Sequence, residues 1–133
     1  KFEEQSYEVK AELDFEQAEE VVFALHKNGE QESLLKLNRK ENKITVDLSN
    51  SGNTDFDQTF LLEKEIDYDF KEKVEVNVFA DRSSLEVFID GGEVSITNLV
   101  FPEKPAEEIE IRSKSGSSLV KNLEIYKLNS IWD

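Results

Sequence analysis

Cysteine is absent from the 133 residues. That excludes disulfides, thiolate metal sites and cysteine nucleophiles. Methionine is absent as well, initiator included, so the chain is expected to be a processed or excised piece of something longer. Basic charge is scarce: 16 Lys and Arg stand against 30 Asp and Glu, a formal net charge of −14. Nucleic acid and anionic membranes call for the opposite sign, so neither is an expected partner. The acidic surplus bears on solubility and says little about fold. Long apolar runs are missing too. Nothing approaches the ~20 residues of a spanning helix, and no signal-peptide pattern opens the chain. No Asn-x-Ser/Thr sequon occurs, since Asn53-Thr54-Asp55 fails at its third position. A bacterial product and a cytoplasmic one both satisfy these exclusions, and the compartment stays open between cytoplasm and secretion.

What is present is alternation. Tyr7, Val9, Ala11, Leu13 and Phe15 recur with period two, as do Ile44, Val46 and Leu48, then Ile66, Tyr68 and Phe70. The same pattern returns in Val74–Ala80, in Leu85, Val87 and Ile89, and in the pairs Val94/Ile96, Ile109/Ile111 and Leu123/Ile125. Period two means strands with one buried and one wet face. The breaks are turn-formers: Lys27-Asn28-Gly29, Ser49–Asn53, Asp90-Gly91-Gly92 and Ser113–Ser117. Asn, Asp and Gly tolerate the positive φ that tight hairpins require, and Asp90-Gly91 is the strongest such signal. Many short strands imply an all-β sandwich or barrel. A chain of this length makes one domain, residues 1–133, which buries roughly two-thirds of its unfolded surface.

One segment reads two ways. Phe15, Ala18, Val22 and Leu25 have helical spacing, and Asp14 with Gln17 resembles a capping box. The β-branched and aromatic run Val21-Val22-Phe23 instead favours a loop through Ala18 followed by a strand from about Val21 to His26.

Candidate chemistry is sparse. A glycosidase needs two carboxylates roughly 5–10 Å apart across a cleft. Asp81 and Glu86 are the best-placed local pair, but Asp and Ser are also what a tight corner prefers at Asp81-Arg82-Ser83-Ser84. The corner reading has Glu86 pointing outward. His26 is the one histidine, and beside Lys27-Asn28-Gly29 it is expected as an exposed strand-end residue. No Gly-x-Ser-x-Gly elbow presents a serine, and no phosphate-binding glycine loop occurs. Asp47, Asp55 and Asp57 could offer oxygen ligands, but the glycine and closing glutamate of a calcium loop are missing, so no metal or cofactor is expected. Sugar binding would need exposed aromatic rings backed by polar groups. Tyr68, Tyr126 and Trp132 are the candidates. Most of the nine Phe are assigned to the core, and the charged strand faces of "KEKVEVNV" and "EEIEIRSKS" show no aromatic interleaving.

The run "VFADRSSLEVFIDGGEVSITNLVFP" resembles the C-terminal module of glycoside hydrolase family 32, the invertases, levanases, inulinases and sucrose-6-phosphate hydrolases. The matching positions are Asp81, Arg82, Ser83, Ser84, Glu86 and Phe88, then Gly91 or Gly92, then Phe101-Pro102. "ITVDLSNSG" and "LEIYKLNSIW" extend the likeness over most of residues 5–132, with Leu48 where the family usually has Arg. The resemblance implies a concanavalin-like, jelly-roll type β-sandwich of two antiparallel sheets packed beside a five-bladed catalytic propeller. It also implies that the Asp-Arg-Ser-Ser corner is structural. The family's catalytic Asp-Pro and Glu-Cys motifs belong to the propeller, and this chain holds no Asp-Pro and no Cys. On that resemblance the chain is an accessory domain that stabilises a fructan- or sucrose-hydrolysing propeller, with oligomer contacts as a further role. Its apolar triplet Leu99-Val100-Phe101 is a candidate contact. The second reading is a fructan-binding module, and a third, an enzyme in its own right, lacks the motifs.

Overall fold

The computed structural model describes residues 6–50, 63–71, 73–81, 84–99, 108–116 and 118–127. Arg82, Ser83, Asp55, Asp57, Val100, Phe101, Pro102 and Trp132 lie outside the described residues, and for Leu99 only the backbone is described.

Ten strands alternate through the described chain: β1 (Tyr7–Asp14), β2 (Glu20–Asn28), β3 (Gln31–Asn38), β4 (Lys43–Asn50), β5 (Glu63–Asp67), β6 (Lys73–Ala80), β7 (Ser84–Ile89), β8 (Val94–Leu99), β9 (Glu108–Lys114) and β10 (Leu119–Lys127). They form two five-stranded sheets, ordered β10-β1-β6-β7-β8 and β5-β4-β3-β2-β9, and every pairing is antiparallel. The inward residues of both sheets meet in one core, those read from the alternation together with residues of β2 and β3. Tyr7, Val9, Leu13, Val76, Val78, Leu85, Val87 and Ile89 come from the first sheet, and Phe23, Leu25, Leu35, Leu37, Ile44 and Val46 from the second. This is the two-sheet sandwich expected from the sequence, and β6, β7 and β8 are the expected meander.

The ambiguous segment resolves as loop then strand. Asp14 accepts a hydrogen bond from the Glu16 amide at 3.0 Å and Phe15 O accepts from the Ala18 amide at 2.8 Å, so the capping signal closes a turn and starts no helix. Two expectations differ. The β5 strand ends at Asp67, because the Tyr68 amide bonds to Asn42 O rather than to the ladder and Tyr68–Phe70 leave the sheet. β3 was not legible as an alternation, since Leu34 interrupts the Leu35/Leu37 pattern. Pairing with β2 and β4 on its two sides makes it a strand.

β10 lies at a sheet edge. Its register against β1 slips between Lys10 and Glu12, and Asn122 there has φ +50. One extra residue reverses side-chain parity. Val120 sits opposite Leu13 and Ile125 opposite Val9, both of which point into the core. The bulge thus keeps Val120, Leu123 and Ile125 on the inner side. Val120 packs against the core, whereas Leu119, Leu123, Ile125 and Tyr126 stay 41–45% exposed.

Candidate functional site

The Asp81–Ser84 corner joins β6 to β7, where Ala80 pairs with Leu85 and the Asp81 amide bonds to Ser84 O at 2.9 Å. Asp81 is exposed, and its Oδ1 accepts from Ser6 Oγ at 2.8 Å. Glu86 lies opposite Phe79 on the outer side of the sheet. An exposed Asp that hydrogen-bonds within a hairpin corner is the residue type such turns prefer. Of the motif members within the described residues, Asp81 and Ser84 form this corner and Glu86 follows on the outer side of β7. The motif's last member, Phe88, lies on the same outer face.

His26 corrects the sequence expectation. It is 2% exposed, not an exposed strand end. β2 bulges on both flanks at this point, between Leu25 and Asn28 against β3 and between Ala24 and Lys27 against β9. His26 takes φ +50 there, a region in which His is enriched over most residues. Nε2 lies 2.8 Å from Asp81 O, which only accepts, so Nε2 carries the proton. Nδ1 is then the acceptor, and Ser33 Oγ donates to it across 3.2 Å. The His26 amide donates to Tyr7 Oη at 2.9 Å. Burial pushes His26 below its ordinary value, against a smaller opposing pull from Asp81. Burial likewise pushes the Tyr7 phenol up to about 12. A neutral imidazole here ties the Asp81 corner to the other sheet. Among the described residues its ring meets the buried Ser33 hydroxyl and the Asp81 carbonyl, which makes it a latch between the sheets.

The sugar candidates separate. Tyr68 stacks edge-on to Phe70 with centroids 5.1 Å apart, and its hydroxyl faces Asp90 at 2.5 Å and Glu93 at 2.8 Å. One phenolic proton serves one carboxylate at a time. Partial burial and the two carboxylates push this phenol up. Tyr126 is exposed on β10 opposite Glu8 and donates to Glu124. Asp90 bonds to the Glu75 amide, while Tyr126 sits level with Glu8 and Phe79. Four residues of strand, about 13 Å, separate those levels, so the structure does not bring Tyr68 and Tyr126 together.

It brings Tyr126 together with residues the sequence reading missed. On the outer face of the β10-β1-β6-β7-β8 sheet, one cross-strand row is Glu124, Lys10, Asn77, Phe88 and Ser95. The next is Tyr126, Glu8, Phe79, Glu86 and Thr97. Phe79 and Phe88 are half-buried and pack edge to face, with centroids 5.9 Å apart. The expectation of aromatic-free polar faces is corrected here. The signal was available: with Val74, Val76, Val78 and Ala80 inward, Phe79 must face out, and Phe88 must do so between Val87 and Ile89. Asn77 Nδ2 donates to Glu8 at 2.9 Å, which leaves Oδ1 buried with no partner among the described residues. Lys10, Asn77, Phe88, Gly92, Asn122 and Glu124 line a cavity of about 470 Å³. A second of about 510 Å³ shares Glu12, Glu75 and Gly91 with it and continues towards Lys73 and Asp14. The two make one trough across the sheet.

Of the oxygen ligands considered, Asp47 faces Lys36 Nζ at 3.4 Å. Among the described residues no group of three or more His, Asp or Glu converges on a metal-sized position.

The model of the glycosyl hydrolases family 32 C-terminal domain matches residues 1–127. The chain belongs to this family. Within it, the chain is 32% identical over 131 residues to a levanase of Bacillus subtilis (strain 168), covering 96% of this chain and 19% of the levanase. The crystal structure of exo-inulinase from Aspergillus awamori superposes with a TM-score of 0.85 at 26% identity, over 99% of this chain and 26% of that one. Sucrose-6-phosphate hydrolase from Lactobacillus gasseri shares the fold, with a TM-score of 0.79 at 21% identity over 96% of this chain and 25% of that one. This family 32 C-terminal domain thus spans about a fifth of the levanase and about a quarter of the solved enzymes.

Proposed function

We propose that the chain is the non-catalytic C-terminal domain of a fructan- or sucrose-hydrolysing glycosidase, and that it stabilises the catalytic propeller by packing against it. The observation that supports this reading most is β10. Leu123 and Ile125 face the inner side of the sandwich and remain nearly half exposed. A lone apolar residue on a surface is ordinary, but neighbouring ones on an edge strand are where another chain segment packs. The occupant is the rest of the parent chain, because the domain covers so small a share of its longer relatives. The alternative contact, Leu99-Val100-Phe101, lies largely outside the described residues.

The test is association in trans. The chain is added to a β-fructosidase catalytic portion lacking its own C-terminal domain. The expected result is a complex and a melting temperature for the catalytic portion raised by several degrees. The double variant Leu123→Ser/Ile125→Ser should abolish most of that gain while shifting its own unfolding by only about 1 kcal/mol, since both sites are half-exposed. No complex, or a complex indifferent to the double variant, would remove the reading.

A further inference from the structure

We infer that the outer face of the β10-β1-β6-β7-β8 sheet is a binding site for a neutral oligosaccharide, centred on Phe88 and Phe79. The reading is independent of the packing role of β10, which uses the inner side of that strand. Three observations carry it.

The first is shape and apolar content. The trough over Lys10, Asn77 and Phe88 has a volume of about 470 Å³, the size of a small-ligand site. Two half-buried phenyl rings and the exposed Tyr126 ring stand on one face. Apolar rings on a wet sheet face are costly unless something covers them, and the C–H face of a sugar ring is a fitting cover.

The second is the polar set around the rings. Glu8, Glu86 and Glu124 can accept hydrogen bonds, Lys10 can donate, and the Asn77 amide, which donates to Glu8, lines the trough. Sugar hydroxyls supply both donors and acceptors, so one ligand class satisfies the whole set.

The third is charge, which decides between a sugar and a protein. Glu8, Glu12, Glu75, Glu86 and Glu124 outnumber Lys10 and Lys121, the lysines paired with them across β1 and β10 on this part of the face. A protein surface docked here would have to bury carboxylates, at a high desolvation cost unless it brought matching cations. A neutral polyol donates to those carboxylates without neutralising them. The apolar centre is a few rings wide, well short of the roughly 800 Å² per partner of a stable protein interface.

The experiment is titration calorimetry of the chain with inulin oligosaccharides and with levan, joined to amide chemical-shift mapping of the same samples. Saturable binding in the millimolar range is expected with at least one of them. The shifted amides should cluster at Lys10, Asn77, Phe79 and Phe88. Phe88→Leu, which keeps bulk and removes the ring face, should weaken binding about tenfold. Lys10→Met should weaken it less, through one lost donor. The mapping on the unaltered chain stands even where a variant fails to fold. Absence of heat and of shifts at tens of millimolar of both fructans would overturn the inference. Shifts centred away from these rows would overturn it as well. So would binding untouched by Phe88→Leu, or a Phe88→Leu effect confined to association with the catalytic portion.

Discussion

Replacing His26 by leucine is expected to lower the chain's unfolding free energy by about 3–5 kcal/mol. Three losses add. Ser33 Oγ, in a side chain with no exposure, loses the Nδ1 to which it donates. Asp81 O loses the Nε2–H that links the two sheets at the corner. Orphaning the buried Ser33 hydroxyl costs about 1–3 kcal/mol, and losing the bond to the part-buried Asp81 carbonyl costs about 1 kcal/mol. Leucine must also adopt φ +50, at about 1 kcal/mol more than a residue suited to that region. His26→Asn keeps the backbone preference and some hydrogen bonding, so it should cost distinctly less. Urea unfolding of the three proteins measures the differences. Equal losses for Leu and Asn would show that the polar latch contributes nothing specific.

The same residue sets a pH dependence. The folded state holds the imidazole neutral by burial, so its folded pKa lies below the unfolded value of about 6.5. As pH falls through about 6.5 the unfolded chain takes up a proton that the folded chain refuses. Stability from this group is therefore fully present above about pH 6.5 and declines below it, until the folded pKa is reached. Melting temperatures at pH 7.5 and 5.5 should differ more for the unaltered chain than for His26→Asn. A difference of equal size in both would assign the pH response to the carboxylates.

Gly116→Ala is the second large effect, expected at about 3 kcal/mol, or a melting temperature lower by about 10 °C. Gly116 has φ +133, which an L side chain rarely adopts. A Cβ there would stand 2.5 Å from Gln17 O and 2.7 Å from Gln17 C. Those are backbone atoms of the loop that turns through Phe15 and Ala18, with Ala18 buried. They cannot rotate away as a side-chain tip could. Gly91→Ala is the control. Gly91 has φ +71, but no atom lies within 4 Å of its added Cβ, so only the conformational cost of about 1 kcal/mol applies. Thermal unfolding of both variants checks the contrast. Equal costs would mean that the β9–β10 corner yields to the extra methyl.

Much of the architecture was readable because a half-buried strand must alternate, and alternation survives in a single sequence. Val74, Val76 and Val78 against Lys73, Glu75 and Asn77 name both the strand and its buried face. Asp90-Gly91-Gly92 takes positive φ throughout, as hairpin chemistry demands. β3 was hidden because Leu34 breaks its rhythm, and only pairing on both edges makes it a strand. The outward rings of Phe79 and Phe88 follow from parity alone. Treating Phe as a core residue concealed them.

The sequence by itself determined the class of fold, the meander from β6 to β8, and the corner at Asp81, because local backbone chemistry and period-two patterning act within a few residues. The tertiary structure alone decided the rest. His26 is buried because two sheets close over a bulge, and the protonated nitrogen follows from a carbonyl 55 positions away. Val120 joins Leu123 and Ile125 on the inner face because one extra residue in β10 resets parity against β1. The trough on the outer face joins β10, β1, β6 and β7, side chains that are far apart along the chain and adjacent only through register. Non-local pairing creates those neighbours, and no window of sequence contains them.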